Sequence, residues 1–165
     1  MPNDNVSAFT LSNTGLCKSL KTKVTIKCEG KTVETIALWD TGATGSCISS
    51  DIVTKLSLIP TGRKRVMTAS GSDDVNTYLV DILLPNNVTI EGLDVCDSKI
   101  GDQGLGMLIG MDIINLGDFS VSNYRGKTVF SFRIPSQCAT DYVLKLNVSN
   151  KIGTHGKGKK NKKRK

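Results

Sequence analysis

Thr35-Ile36-Ala37-Leu38-Trp39-Asp40-Thr41-Gly42-Ala43-Thr44 is the stretch on which the reading of this chain turns. An apolar run ends in a carboxylate, and Thr41-Gly42 supply a tight turn after it. One acid is therefore set at a strand end, with backbone free to bend closely around it. Asp-Thr-Gly occurs once in the chain. Taken alone, the tripeptide also fits an ordinary turn acid.

Working outward, short runs of period two alternate with Gly, Asn, Asp and Pro, which argues for a mainly β domain. Lys23 to Cys28 alternates polar with apolar, Glu29-Gly30-Lys31 turns, and Thr32 to Trp39 returns as the second arm of a hairpin. Beyond Gly45, Ser46-Cys47-Ile48-Ser49 reads as a short strand. Ser50 to Leu56, with a serine cap and the early acid Asp51, reads as one or two helical turns before Pro60. Arg63 to Thr68 and Val75 to Leu84 flank Ala69-Ser70-Gly71-Ser72-Asp73-Asp74 as a longer hairpin with a small, polar tip, and Val88 to Val95 adds a strand.

Gly104-Leu105-Gly106-Met107-Leu108-Ile109-Gly110-Met111-Asp112-Ile113-Ile114 is the second informative stretch. Leu108-Ile109-Gly110 implies a buried strand whose glycine packs against another backbone, followed by a short helix ending at Gly117. Phe119 to Ser122 and Lys127 to Ile134 form a hairpin across Asn123-Tyr124-Arg125-Gly126, ended by Pro135. Thr140 to Asn150 fits both a short helix capped by Thr140-Asp141 and an extended segment.

The chain has 165 residues with 38% hydrophobic and 22% charged, which suits one domain plus tails. Its formal charge of +7 is a property of one end. Seven of the 22 basic residues lie between Gly156 and Lys165, so 15 bases face 15 acids in the rest. That end, rich in Gly, Lys and Asn, cannot bury enough apolar surface to order itself. It can attract nucleic acid or another polyanion through Lys157–Lys165, nonspecifically and without base stacking, or serve only to keep the chain in solution.

No stretch reaches the length of a membrane span, and residues 1–14 lack the regions of a signal peptide, so a cytoplasmic address without membrane attachment is expected. Cys17, Cys28, Cys47, Cys96 and Cys138 are odd in number and irregularly spaced. Reduced thiols are the favoured reading and a zinc site is disfavoured. Cys47, just after the Asp40 loop, is either a small buried residue or a modifiable thiol. The lone histidine, His155, leaves the folded body without a Ser-His or Cys-His arrangement.

Leu38-Trp39-Asp40-Thr41-Gly42-Ala43, a glycine-tipped hairpin around Gly71 and Leu108-Ile109-Gly110 running into a helix occur in the order of a retropepsin-like aspartic protease. The chain resembles that family, particularly its bacterial and cellular members, over roughly residues 21–135. The resemblance implies a mainly β, closed half-barrel with a flap hairpin and one or two short helices. It implies an N-terminal extension over 1–20, the protease domain over 21–136, a C-terminal segment over 137–150 and a basic disordered tail over 151–165.

It further implies an aspartic endopeptidase working as a homodimer on peptide or protein substrates, with no metal or other cofactor. Asp40 would be catalytic, one from each subunit, with Thr41 and Gly42 supporting the dyad. Gly42, Ala43, Thr44, Ser70, Gly71, Ser72 and Leu108 would contact substrate, and Ile48, Leu105 and Leu108 would line pockets. Ala43 stands where pepsin-like relatives have serine, which implies a less depressed dyad and activity nearer mildly acidic or neutral pH. Retroviral enzymes commonly carry an acid at the place of Thr44 and an arginine at that of Met111; both are missing here. The alternative is a catalytically silent dimerisation or peptide-binding module with a polyanion-binding tail.

Overall fold

The alternation at 23–39 becomes a hairpin in the computed structural model, which describes residues 5–68 and 71–155. Strands β2 (Leu20–Cys28) and β3 (Lys31–Trp39) pair antiparallel from Leu20↔Trp39 to Cys28↔Lys31. Glu29 (φ 47°) and Gly30 (φ 78°) join them. Positive φ at both central positions is the two-residue turn whose twist matches its flanking strands.

Further along are β4 (Cys47–Ser49), α1 (Ser50–Leu56), β5 (Gly62–Thr68), β6 (Gly71–Leu83) and β7 (Thr89–Ser98). Then come β8 (Met107–Ile109) and the short helix α2 (Met111–Ile114). These strands form one sheet in the order β2-β3-β8-β4-β7-β6-β5, and an additional β2–β6 pairing closes all but β5 into a ring. The β3–β8 and β4–β7 contacts are parallel. The ring encloses Val24, Ile26, Ala37, Ile48, Val80, Ile82, Val95, Met107 and Ile109, all buried, and Ile52 and Leu56 of α1 join the same core. Burying each of the Val, Ile, Leu and Met side chains among them contributes roughly 1.5–3 kcal/mol.

Helix α1 runs over the expected stretch, but its cap is Ser49 rather than Ser50: Ser49 Oγ accepts from the Ile52 N–H at 3.4 Å. It ends in left-handed Ser57 (φ 56°), whose N–H bonds to the Thr54 carbonyl while that of Leu58 reaches Val53.

A second sheet, β1 (Ser7–Ser12), β10 (Val129–Ile134) and β9 (Asp118–Ser122), covers one end of the ring. Phe9, Phe119, Phe130 and Phe132 gather around Trp39, whose ring centroid lies 4.9 Å from that of Phe132. The buried indole N–H donates to Thr22 Oγ1 at 2.9 Å, so packing the tryptophan leaves no unpaired donor. The residue before the Asp40 loop is thus among the most firmly held in the fold.

Among the described residues β5 pairs only with β6, and the two form an arm off the ring. Pairing runs to Thr68↔Gly71, further than the flexible tip read from the sequence: Asp73 and Asp74 are strand residues opposite Val66 and Arg65. The Arg65–Asp74 ion pair, at 3.0 Å, is the cross-strand contact that extends the ladder. Ala69 and Ser70 lie outside the described residues.

The closed ring, the projecting hairpin and the short α1 and α2 make the chain mainly β, a retropepsin-like half-barrel with a flap. Helix α3 (Tyr142–His155) settles the ambiguous C-terminal segment as helix. Asp141 Oδ1 accepts from the Val143 and Leu144 N–H groups at 2.8 and 3.0 Å. The helix continues five residues beyond Asn150, and the basic run Lys157–Lys165 lies outside the described residues. No helix among the described residues is long and apolar enough to cross a membrane.

Candidate active site

Strand β3 ends at Trp39, and the next backbone N–H, that of Asp40, donates to the Ile109 carbonyl at 2.9 Å. This continues the parallel β3–β8 ladder by one bond and fixes the acid against β8. The carboxylate then folds back on its own loop. Asp40 Oδ1 accepts from the Gly42 N–H at 2.8 Å, and the Ala43 N–H donates to the Asp40 carbonyl at 3.2 Å. A Cβ at position 42 would stand 3.2 Å from Asp40 Oδ1, so glycine keeps the turn tight without crowding the carboxylate.

Asp40 is half-buried, while Thr41, Gly42 and Thr44 are exposed and Ala43 is half-buried. Among the described residues the Thr41 hydroxyl has no hydrogen-bond partner.

What holds the far side of the loop is a polar contact that the sequence reading misses. Ser46, fully buried, donates through its backbone N–H to Asp112 Oδ2 and through Oγ to Asp112 Oδ1, both at 2.7 Å. Ser46 Oγ also accepts from the Gly110 N–H at 3.0 Å, and Asp112 Oδ1 accepts from the Ile113 N–H at 2.9 Å. The Met111 N–H closes the set on the Ala43 carbonyl at 2.8 Å. With neither an acid at position 44 nor an arginine at 111, a carboxylate ringed by neutral donors ties the loop down instead. The available signals were an acid just after Leu108-Ile109-Gly110 and a serine just after the loop. Nothing local connects them, because they lie 66 residues apart.

Gly110 meets the close-packing expectation. A Cβ there would fall 2.6 Å from both C and O of Gly45 and 3.0 Å from the Ala43 carbonyl oxygen. The loop and the start of α2 are in backbone-to-backbone contact.

Beside the loop, the outer face of the sheet carries an apolar cluster of Cys47, Ile100 and Leu105, with Ile36, Leu38, Cys96 and Leu108 packed against it. Leu105 and Leu108, two expected pocket residues, come together here. Ile48 does not: it is fully buried in the main core. Successive strand residues point to opposite faces, so placing Cys47 on the outer face sends Ile48 inside.

Gly71 opens β6 with φ 134°, a value that favours glycine, and Ser72 beside it is exposed. Among the described residues no cluster of three or more His, Cys, Asp or Glu side chains could hold a metal.

Cys47 and Cys96 are direct partners across β4 and β7. Interaction with the neighbouring Cys96 thiol, followed by burial, pushes the Cys47 thiol above its ordinary range. The same interaction holds Cys96 below the usual thiol range, assisted by the Lys64 ammonium and opposed by burial.

Residues 24–116 match the family model of the gag-polyprotein putative aspartyl protease. Among solved structures, the chain is similar to a retropepsin-like aspartic protease from Rickettsia conorii, with 13% identity, TM-score 0.49, and coverage of 78% of this chain and 95% of that one. It is also similar to the protease of simian foamy virus (mac), with 18% identity, TM-score 0.40, and coverage of 55% and 89%. A third similar structure is EIAV protease complexed with the inhibitor HBY-793, with 19% identity, TM-score 0.44, and coverage of 59% and 86%. No curated protein matches the chain.

Proposed function

Because the chain belongs to the gag-polyprotein aspartyl protease family, we propose that it is an aspartic endopeptidase that acts as a homodimer, with one Asp40 from each subunit forming the catalytic dyad. The observation that carries this reading is the Asp40 loop. Its carboxylate stands at a strand end, is clamped through its backbone to Ile109, is bent back on Gly42, and is only half-buried.

A single carboxylate cannot both activate water and protonate a carbonyl. Two like-charged carboxylates about 3 Å apart cannot both ionise, so one keeps its proton. The ionised partner takes a proton from water as the oxygen adds to the scissile carbonyl, and the protonated one donates to the carbonyl oxygen. The C–N bond of the tetrahedral intermediate then breaks as the amine receives a proton. Thr41, exposed and without a partner among the described residues, would hydrogen-bond across the two-fold axis and hold the carboxylates against repulsion. The β5–β6 arm would close over an extended peptide, with Gly71 and Ser72 offering backbone groups. Leu108 would meet an apolar substrate side chain.

The test is mass-spectrometric profiling of peptide-library cleavage by wild type and Asp40→Asn side by side, with a statine-type transition-state mimic as inhibitor. Cleavage by wild type alone, blocked by the mimic, is expected. A folded dimer that cleaves nothing would leave the silent binding module as the better reading. Cleavage retained in Asp40→Asn would remove Asp40 from the chemistry.

A further inference from the structure

We propose that Cys47 and Cys96 are a redox-modifiable pair that closes reversibly to an intrachain disulfide in the apolar face beside the Asp40 loop. The sheet dictates the pairing. The two are Cα partners on adjacent parallel strands, and both face the cluster built on Leu105 and Leu108, while their neighbours Ile48 and Val95 face the barrel interior. Neighbouring strands run about 4.8 Å apart, inside the Cα–Cα range of disulfides. Cys96 Sγ also lies at the start of β4, donating to the carbonyl of Ser46, the residue before Cys47, at 4.0 Å. The other described cysteines lack such a neighbour: Cys28 Sγ donates to the Leu79 carbonyl at 3.8 Å, and Cys17 and Cys138 are exposed.

The two thiols differ in ways that assign their roles. Cys96 is the more accessible and is held toward thiolate by the neighbouring Cys47 thiol and Lys64. Cys47 is buried and held as thiol, its pKa raised by the neighbouring Cys96 thiol and then by burial. With hydrogen peroxide as oxidant, the Cys96 thiolate attacks one peroxide oxygen; the O–O bond breaks, and hydroxide leaves and takes a proton to become water. The resulting sulfenic acid loses its hydroxyl, with the Cys47 proton, as a second water while the S–S bond forms. Two thiols are oxidised and one peroxide is reduced.

Closure has a mechanical consequence. Opposite Cβ atoms on neighbouring strands keep roughly the strand spacing of about 4.8 Å, against about 3.8 Å in a disulfide, so β4 is drawn toward β7. Strand β4 begins directly after Ser46, which fastens the Asp40 loop to Asp112. Oxidation therefore displaces that fastening and slows cleavage on the order of 10–100-fold. This last clause rests on the peptidase reading; the thiol pair does not.

The full chain would be treated with hydrogen peroxide, alkylated, digested without reductant and mapped by mass spectrometry. The expected result is a cross-linked Cys47–Cys96 peptide pair, lighter by two hydrogen atoms and released by dithiothreitol. It should form equally in a Cys17→Ser/Cys138→Ser variant, where exposed thiols cannot mediate it. In Cys47→Ser, a sulfenic acid at Cys96 should be trapped by dimedone. Cys47 and Cys96 both recovered as free alkylated thiols, or separately over-oxidised without a cross-link, overturns the proposal. A cross-link with undiminished cleavage overturns the mechanical consequence alone. A reduced chain that cleaves nothing counts against the peptidase reading, while the peptide map still decides the pair.

Discussion

Replacing Ser46 with alanine tests whether the Asp40 loop is fastened through Asp112. The substitution removes one hydroxyl from a fully buried side chain, and that hydroxyl serves two partners. The bond from Ser46 Oγ to Asp112 Oδ1, at 2.7 Å, is to a charged acceptor and contributes about 1.5–3 kcal/mol. The Gly110 N–H, 3.0 Å from Ser46 Oγ, loses its acceptor in a place where a Cβ would strike backbone. An unpaired donor there costs about 1–3 kcal/mol. The two effects overlap, since Gly110 and Asp112 sit on the same turn, and a total of about 3 kcal/mol is expected.

Urea unfolding of wild type, Ser46→Ala, Asp112→Ala and the double variant, at one protein concentration, measures the quantity. The double variant should be less destabilised than the sum of the singles by at least about 1 kcal/mol, the signature of a shared contact. A Ser46→Ala change under about 0.5 kcal/mol, or strict additivity, refutes the reasoning. Peptide cleavage should fall more steeply than stability, because the loop that loses its tie carries Asp40.

Gly110→Ala should cost about 1–3 kcal/mol and abolish cleavage, because its Cβ would meet the Gly45 and Ala43 backbone rather than a side chain that can turn away; unchanged thermal unfolding refutes it. Arg65→Ala should change stability by no more than about 1 kcal/mol, since Arg65 and Asp74 are 71% and 52% exposed; its effect belongs in substrate KM through the flap, and a large loss of Tm would contradict this. Asp118 is held below the ordinary carboxylate range by the Ser136 hydroxyl, then the Gln137 N–H and the Arg133 guanidinium. Its contribution to stability is present above the unfolded carboxylate value of about 3.9 and is lost as pH falls through the depressed folded value. An NMR titration should find Asp118 still ionised where ordinary carboxylates have protonated, and an unshifted midpoint refutes it.

Local pattern carried much of the fold into view. Glu29-Gly30 turns a hairpin, Ser49 caps α1, Asp141 caps α3, and Gly110 meets backbone, each decided by residues close in sequence or by what glycine lacks. The candidate acid was legible for the same reason: an apolar run, an acid and a glycine are contiguous. What stayed hidden depends on partners far apart in the chain. Residues 7–12 fall within the N-terminal extension until β10 supplies a strand to pair with Ser7↔Ile134 through Ser12↔Val129. Ile48 and Cys47 exchange faces with a shift of one residue, which only the register with β7 and β8 decides. The Ser46–Asp112 contact and the Cys47–Cys96 pair follow from that same register.

The missing acid–arginine pair changes how the loop responds to its surroundings. An ion pair near an interface weakens as salt rises, because counterions screen both charges. Asp112 instead faces two backbone N–H groups and one hydroxyl, all neutral and within 2.9 Å, in a half-buried place. Such bonds depend on geometry and on exclusion of water more than on net charge. The loop should therefore hold its shape across ionic strength, whereas the exposed Arg65–Asp74 pair on the flap should loosen. Raising salt from low to molar concentration should leave amide exchange at Ser46 and Gly110 unchanged while exchange along β5 and β6 accelerates. Equal acceleration in both places would mean that charge, and not the buried hydroxyl, holds the Asp40 loop.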